Sequence, residues 1–344
     1  MRGMLGLREA GVYYALLILV GALTVITAVL GRPSYLNPVN LINILYQTAP
    51  VAIMGVAMTV VLITGNFDLS VASVAAFAAA VNILTIDQAG FWGAMALSLA
   101  AAGALGALNG AMVELVGINA FIVTLGTLTA IRGLVLVVTN GRSLMVGTAG
   151  SLAVMTHFES GRALGLPLPI LYMAGFTLLT WLVLHFTTAG RRIYAAGGNA
   201  EAARLAGINV RAYKLGAFVF SALAAGFAGV LYASRFGAMN PTALQGEELT
   251  VIAAAILGGT SLFGGAGSVL KTVAGALVLY TLTNGFNVLN LGANYQGLIE
   301  GTVLIGAAAI YTVGGRSRGP RGRLGEPPSG APEVHQAQSQ PTVL

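Results

Sequence analysis

The sequence predicts an all-α polytopic membrane protein, and three features of its composition point to this fold class. Hydrophobic residues make up 56% of the 344 residues and charged residues only 8%, and the mean hydropathy is +0.84. Apolar runs of roughly 20 residues, the length that a helix needs to cross a bilayer, recur along the chain. Glycine, at 47 residues, is about twice as frequent as its usual share of about 7%, which suits helices that pack closely in lipid.

About ten transmembrane helices are expected when each apolar run is ended at polar residues or at Gly and Pro. The expected spans are residues 12–30, 41–63, 71–86, 91–113, 120–139, 168–187, 213–234, 248–262, 269–289 and 294–313. With the N-terminus in the cytoplasm, most cations lie on the cytoplasmic side, and only Arg32, Arg142, Arg162 and Arg235 lie outside. The positive-inside rule therefore places both the N- and C-termini in the cytoplasm.

Three regions of the chain follow from these spans. Residues 1–11 are expected to form a cytoplasmic N-terminus, and residues 12–313 a single transmembrane domain. The first apolar run is longer than the roughly 7–15 residues of a signal-peptide core, so it is expected to remain in the protein as a helix. Residues 314–344 are rich in Pro, Gly, Arg and Gln, which predicts a disordered cytoplasmic tail.

The residue types exclude several kinds of chemistry. The absence of cysteine removes disulfides, thiol catalysis and cysteine metal sites. The histidines His157, His185 and His335 are not spaced as metal ligands. The segment 265–272, GAGSVLKT, has Leu270 where a phosphate-binding loop needs glycine, so no ATP site is expected in this chain. The net charge of +6 comes from cations at span edges and in the tail, so nucleic acid is not an expected partner.

Charged residues gather in and just beyond the loop of about 188–212, around a sequence that favours a short helix. The charges are Arg191, Arg192, Glu201, Arg204, Arg211 and Lys214. Asn199 precedes AEAARLAG, a run of helix formers that begins near an acid and ends at Gly207, where a left-handed cap stops a helix. A cytoplasmic surface helix of about two turns is therefore expected. Its residues fit either a positive loop that touches lipid phosphates or a docking helix for a soluble protein.

Four segments of the chain carry the motifs of one family. Glu201, Ala202, Ala203 and Gly207 match its E-A-A, three residues, G motif within GRRIYAAGGNAEAARLAGINV at 190–210. The other segments are LITGNFDLSVASV at 62–74, GINAFIVTLGTLTAIRGL at 117–134 and AAILGGTSLFGGAGSV at 254–269. They cover residues 35 to 313 approximately, in the family's order. The chain thus resembles the permeases of bacterial ABC importers, in their monosaccharide (ribose, xylose and galactose) branch.

This resemblance implies a transport subunit rather than an enzyme, in the cytoplasmic membrane of a prokaryote. The permease domain would translocate a monosaccharide delivered by an extracytoplasmic sugar-binding protein. A separate cassette ATPase subunit would bind ATP and Mg, and the permease itself would hold no cofactor. It would form a dimer with a second copy or a sister permease. The helix that couples it to the ATPase would comprise Asn199, Glu201, Ala202, Ala203, Arg204 and Gly207.

Polar residues that interrupt the apolar runs are candidates for the substrate pathway. Asn66 and Asp68 break the segment 64–70, and Thr260 lies in the Gly-rich segment 257–265. Each segment is either a discontinuous helix that lines the pathway or an ordinary turn, because non-helical backbone in a bilayer must be surrounded by protein or a water-filled cavity.

Further candidates lie at helix ends. Asn119, Phe121 and Thr124 lie near the entrance of the span 120–139, although a Thr hydroxyl in such a helix often bonds its own i−4 carbonyl. Asn284 and Asn287 lie three residues apart on one side of the span 269–289, near the outer mouth.

Arg132 is a cation within an expected span. A charge at that depth is costly unless it faces protein or water. We expect it to pair with backbone carbonyls, or with an acid such as Asp68 or Glu300, rather than to contact sugar.

Ten spans alone also allow other functions. One is a permease for another small polar solute, such as a nucleoside or a signalling sugar. Another is a stand-alone secondary transporter, although the few intramembrane charges weigh mildly against a proton relay. A third is a membrane anchor or receptor component without transport.

Overall fold

The computed structural model describes residues 10–290 and 301–302, and the first of these ranges contains eleven α-helices. They are α1 (Gly11–Val29), α2 (Pro38–Ile63), α3 (Val71–Ala111), α4 (Ala120–Thr139), α5 (Ala149–Ser160), α6 (Leu168–Phe186), α7 (Thr188–Gly198), α8 (Ala200–Leu205), α9 (Val210–Phe236), α10 (Glu247–Leu257) and α11 (Val269–Leu289). A π-helical turn, Met112–Val116, continues α3.

Two short antiparallel ladders join loops at the end of the molecule opposite α7 and α8. Strand β1 (Leu144–Met145) pairs with β4 (Ala238–Met239), and β2 (Arg162–Ala163) pairs with β3 (Leu166–Pro167). The first ladder joins the loops that follow α4 and α9, and the second lies within the loop that follows α5.

Helix α3 folds back on itself at Gly90, whose φ of 69° and ψ of 170° are not helical. Ser70, the N-cap of α3, accepts a hydrogen bond of 2.9 Å from the Asn109 side chain. A straight helix of that length would separate the two residues by about 58 Å, so α3 consists of two antiparallel arms. The break expected between residues 86 and 91 is therefore confirmed.

Within the described residues, seven helices are long and apolar enough to cross a membrane: α1, α2, α3 with its π-helical turn, α4, α6, α9 and α11. The expected spans 12–30, 41–63, 120–139, 168–187, 213–234 and 269–289 match them to within about three residues. The chain is thus a mostly helical, multi-pass membrane protein. The total of ten spans and the cytoplasmic termini remain predictions.

Several expectations need revision or lie outside the described residues. The span 248–262 is wrong as a full crossing, because α10 has 11 residues and is about 16 Å long against a bilayer core of about 30 Å. The sequence analysis placed the residues of α5 and α7 in loops, but both segments are helical. The span 294–313, the N-terminus 1–11 and the tail 314–344 lie almost entirely outside the described residues.

Helix α2 lies at the centre of the bundle and contacts α6, α9, α10 and α11. Its residues from Val51 to Ile63 are all buried. Small residues let α3 and α9 approach each other closely: a Cβ added at Gly229 would lie 2.1 Å from the Ala75 carbonyl oxygen. Such contacts between small residues are the usual means of close helix packing in lipid.

Candidate coupling surface and substrate pathway

The short helix predicted from AEAARLAG is present as α8. The Asn199 side chain caps it by accepting a 3.0 Å hydrogen bond from the Ala202 amide. At the other end Gly207 has φ +79°, and the amides of Gly207 and Ile208 donate to the carbonyls of Arg204 and Ala203. This pair of bonds is a Schellman motif, which needs a residue that tolerates positive φ at its glycine.

Helix α8 presents most of its surface to solvent. Asn199, Glu201, Ala202, Arg204 and Gly207 are exposed, and Glu201 and Arg204 form an ion pair of 2.6 Å. Leu205 is 83% exposed. Ala203 instead lies inside, in a small apolar cluster with Ala196 and Val210. Helix α8 thus presents an exposed leucine beside a charge pair, on a helix anchored from beneath.

Helix α7 supports α8 and was not expected from the sequence. Thr187 caps it by accepting a hydrogen bond of 3.1 Å from the Gly190 amide. A Thr before a charged segment is a helix-start signal, and it could have predicted α7. The Tyr194 hydroxyl donates to the Gly267 carbonyl at 2.9 Å, and burial raises the pKa of Tyr194. A Cβ at Gly197 would lie 1.7 Å from the Ile63 carbonyl oxygen, so α7 touches backbone there.

The two polar breaks seen in the sequence meet beneath α7. The Gly265 amide donates to the Ile63 carbonyl at 2.8 Å, and a Cβ at Gly264 would lie 2.7 Å from the Gly197 oxygen and 3.0 Å from Gly65. The segment 64–70 joins α2 to α3, and 257–265 lies in the connection of α10 to the antiparallel α11. The structure therefore supports the turn interpretation for both breaks.

Asp68 is buried at the centre of a hydrogen-bond network rather than in an open pathway. One carboxylate oxygen accepts from the Ser70 amide at 3.0 Å and hydroxyl at 2.6 Å, and the other accepts from the Ser221 hydroxyl at 2.8 Å. The Asn109 side chain extends the network through Ser70. Burial raises the pKa of Asp68, and these hydrogen bonds oppose that shift.

The other candidates in the inner half are also buried or serve as caps. The Asn66 amide donates to Glu114 at 3.3 Å, and the buried Thr124 bonds its i−4 carbonyl at 2.8 Å. The Thr260 side chain is 1% exposed. The Asn119 side chain caps α4, and the adjacent Phe121 is exposed.

The outer candidates lie far from these residues. The Asn284 amide donates to Asn40, in the first turn of α2, at 3.0 Å, and Asn287 is exposed. The eight predicted pathway residues thus divide between the two ends of the bundle, and the structure does not bring them together. Asn66, Asp68 and Thr124 are enclosed and hydrogen-bonded within the described chain, which favours structural roles for them. Thr260 is enclosed too, but its hydroxyl has no hydrogen-bond partner among the described residues.

Arg132 pairs with backbone carbonyls, which was one of the two alternatives predicted from the sequence. It donates to the carbonyl oxygens of Ala243 at 2.6 Å and Leu244 at 2.9 Å. Its pairing with Asp68 is wrong, because the Asp68 carboxylate is satisfied by serines, and Glu300 lies outside the described residues.

A buried ion pair at the end of the bundle opposite α8, the predicted outer end, was not expected from the sequence. Glu159, at the end of α5, accepts a 2.8 Å hydrogen bond from the Arg235 guanidinium and contacts the Tyr46 hydroxyl. The same guanidinium lies 4.2 Å from the centre of the Tyr46 ring. Arg235 was assigned to an outer loop, but it lies in the last turn of α9. The available sequence signal for this pair was that Glu159 and Arg235 lie in consecutive loops predicted on the same side of the membrane.

The described part of the chain contains no group of three His, Asp or Glu residues close enough to hold a metal ion. A bundle of apolar helices, with an exposed helix anchored on the turns that join them, is the architecture of a multi-pass membrane protein. The chain belongs to the family described as branched-chain amino acid transport system / permease component, whose model matches residues 40–308. It is therefore a transport subunit and not an enzyme.

Curated relatives are similar over nearly their whole length. The ribose import permease protein RbsC of Escherichia coli K12 is 40% identical over 84% of this chain and 91% of its own. The D-allose transport system permease protein AlsC of the same strain is 34% identical over 84% and 89%. The L-arabinose ABC transporter permease protein AraH of Azospirillum brasilense is 34% identical over 87% and 86%. None of the solved structures matches the chain.

Proposed function

We propose that this protein is the membrane-spanning permease of an ATP-driven importer and translocates a monosaccharide. The observation that carries the proposal is the exposed α8, seated through α7 on the turns that end α2 and α10. The names of the relatives support the sugar class, because those proteins are named for ribose, D-allose and L-arabinose.

The remaining components follow from this class of transporter. A cassette ATPase subunit binds ATP and Mg and contacts α8, and an extracytoplasmic sugar-binding protein delivers the solute to the opposite face. A second permease copy or a sister permease completes the pathway. The protein lies in the cytoplasmic membrane of a prokaryote. Its chain crosses ten times with both termini in the cytoplasm, and the segment 237–246 and α10 together make the eighth crossing, because α10 alone is too short.

The contacts beneath α8 explain how cassette movement reaches the bundle. Helix α7 meets backbone of the α2–α3 turn and of the α10–α11 loop at Gly197, Gly264 and Gly265, with no side chain between them. Such contacts resist compression because packed interiors are dense. A displacement of α8 is therefore passed to the ends of α2, α3, α10 and α11 together, which is the rigid-body type of switching movement.

Reconstitution tests the transport assignment. The permease is placed in liposomes with the cassette ATPase and the binding protein identified from the neighbouring genes, and uptake of labelled D-ribose, D-allose and L-arabinose is measured. We expect uptake that needs ATP, the cassette and the binding protein. Equal uptake by the permease alone would refute the proposal and favour a stand-alone transporter.

A pair of leucine substitutions tests the docking surface. Leu205→Asp places a charge on α8 at an exposed site, so it is expected to weaken cassette binding to the purified permease at least tenfold without unfolding the protein. Leu164→Asp is the matched control, since Leu164 is 92% exposed at the opposite end of the molecule. Equal cassette binding by the two variants would contradict the role given to α8.

A further inference from the structure

The chain between α9 and α10 lies deep in the bundle. Helix α9 ends close to α2, where the Arg235 guanidinium donates to the Tyr46 carbonyl at 3.4 Å. Tyr46 lies eight residues inside the outer end of α2, a depth of about 12 Å. The Arg235 guanidinium thus lies well below the outer end of α2, and the connecting segment 237–246 follows it, starting with strand β4.

The start of α10 lies deeper still. A Cβ at Gly55 of α2 would lie 3.8 Å from the Val251 carbonyl oxygen, so these residues share one level. Glu247, the first residue of α10, is one turn further from Ile63. Glu247 therefore lies about 18 Å from the inner end of α2 and about 20 Å from its outer end. The segment 240–246 therefore descends to the middle of the membrane as irregular backbone.

Arg132 holds this irregular backbone in place. Leu244 and Gly246 have φ values of +57° and +91°, and the Ala243 and Leu244 carbonyls accept hydrogen bonds from the guanidinium. Lipid offers no partner for such carbonyl groups, so non-helical backbone at this depth must border protein or a water-filled cavity.

The exposed side chains of the segment favour a water-filled cavity. Asn240, Thr242 and Gln245 are all exposed, and each is a neutral hydrogen-bonding group that lipid would not solvate. The Asn240 side-chain oxygen accepts from the Thr242 amide at 2.9 Å and hydroxyl at 2.8 Å, which fixes their relative positions. Neutral amide and hydroxyl groups match an uncharged polyhydroxylated solute.

We propose that the segment 240–246 lines the translocation path and that Thr242 and Gln245 contact the sugar as it passes. This inference rests on the proposed function and adds a site for the solute near the bilayer midplane, where discontinuous helices commonly line transport sites. None of the eight residues predicted for the pathway belongs to it.

Cysteine accessibility tests whether the segment faces water. The chain contains no cysteine, so Gln245→Cys and Thr242→Cys each introduce one thiol per permease chain, and labelling is read on the permease band of the assembled transporter. We expect both to react with a charged, water-soluble thiol reagent, and Leu17→Cys, at an exposed position in the middle of α1, to remain unlabelled. Thr242→Cys carries the test if Gln245→Cys fails to assemble. Unreactive thiols would overturn the proposal, as would disulfide-linked permease dimers, which would assign the segment to the interface between copies.

Sugar selectivity tests the contact itself. Gln245→Asn shortens the side chain and is expected to change the ratio of D-ribose to D-allose uptake by about fivefold, the effect of one hydrogen bond. Leu17→Ala is expected to leave the ratio unchanged. An unchanged ratio in Gln245→Asn and in Thr242→Val would overturn the contact. Absence of ATP-driven uptake by the unmodified chain would instead refute the proposed function. The two failures can be told apart, because the labelling experiment does not depend on uptake.

Discussion

The two ends of the molecule each contain an ion pair of almost the same length in opposite surroundings. At the end that bears α8, Glu201 and Arg204 are 2.6 Å apart, and their side chains are 70% and 59% exposed. At the outer end, Glu159 and Arg235 are 2.8 Å apart, and their side chains are 2% and 24% exposed. The comparison teaches that burial, and not distance, decides how much such a pair matters to the fold.

The difference extends to how each end is built. At the end that bears α8, glycines bring the backbone of α7 against the backbone of the two turns beneath it, and most side chains of α8 are exposed. At the outer end side chains do the joining: the ion pair and Tyr46 connect α2, α5 and α9, and the rings of Phe158, Tyr172 and Phe227 pack beside them.

Removing the buried acid is expected to have the largest effect on stability. Glu159→Ala leaves the Arg235 guanidinium without its carboxylate partner inside the protein, and breaking such a pair costs about 3–5 kcal/mol. The free energy of unfolding, measured by denaturing detergent titration of the purified permease, is expected to fall by that amount. A loss below about 1 kcal/mol would mean that the outer pair behaves as a surface pair.

A methyl group at Gly197 is expected to have the next largest effect. The Cβ of Gly197→Ala would meet the Ile63 carbonyl oxygen at 1.7 Å, so α7 must move away, at a cost of about 1–3 kcal/mol or more. We expect lower stability and ATP hydrolysis that no longer drives uptake. Gly198→Ala is the matched control, because its Cβ has no neighbour closer than 3.8 Å. The same loss in both variants would contradict the close-contact explanation.

Substitutions of Asp68 are expected to separate its hydrogen bonds from its charge. Asp68→Ala leaves Ser70 and Ser221 without their acceptor, at a cost of about 1–3 kcal/mol, whereas Asp68→Asn keeps a side-chain oxygen and should lose less. Burial raises the pKa of Asp68 in the folded protein above its ordinary value of 3.8. The stability of the unmodified protein relative to Asp68→Asn should therefore fall as the pH rises from the ordinary pKa to the raised one. Unfolding measured between pH 4 and pH 8 checks this direction, and the opposite trend would exclude a raised pKa.

The exposed pair is expected to give the smallest change in stability. Glu201→Ala removes an interaction that water screens, so the free energy of unfolding should change by less than about 1 kcal/mol. Uptake coupled to ATP is nevertheless expected to decrease, since the carboxylate lies on the proposed docking surface. A variant with both normal stability and normal coupling would remove Glu201 from that surface.

The local parts of the fold were predictable because neighbouring residues produce them. Asn119 and Asn199 cap their helices through amides two and three residues further on, and the α4 boundaries agree with the predicted span. The depth of α10 was not predictable, because an apolar run such as 248–262 is equally suited to burial in protein and to lipid. For the same reason, the mid-membrane segment 240–246 was assigned to an outer loop.

The sequence by itself determined the membrane class, most helix boundaries, the reversal at Gly90 and the capped α8, since apolar length, glycine and capping residues act over a few positions. Only the tertiary structure decided that Gly197 contacts Ile63, that Glu159 pairs with Arg235 and that Arg132 holds the 243–244 backbone. Each of these contacts joins residues more than 70 positions apart. Which of these residues meet depends on how whole helices pack, and no local pattern in the sequence indicates it.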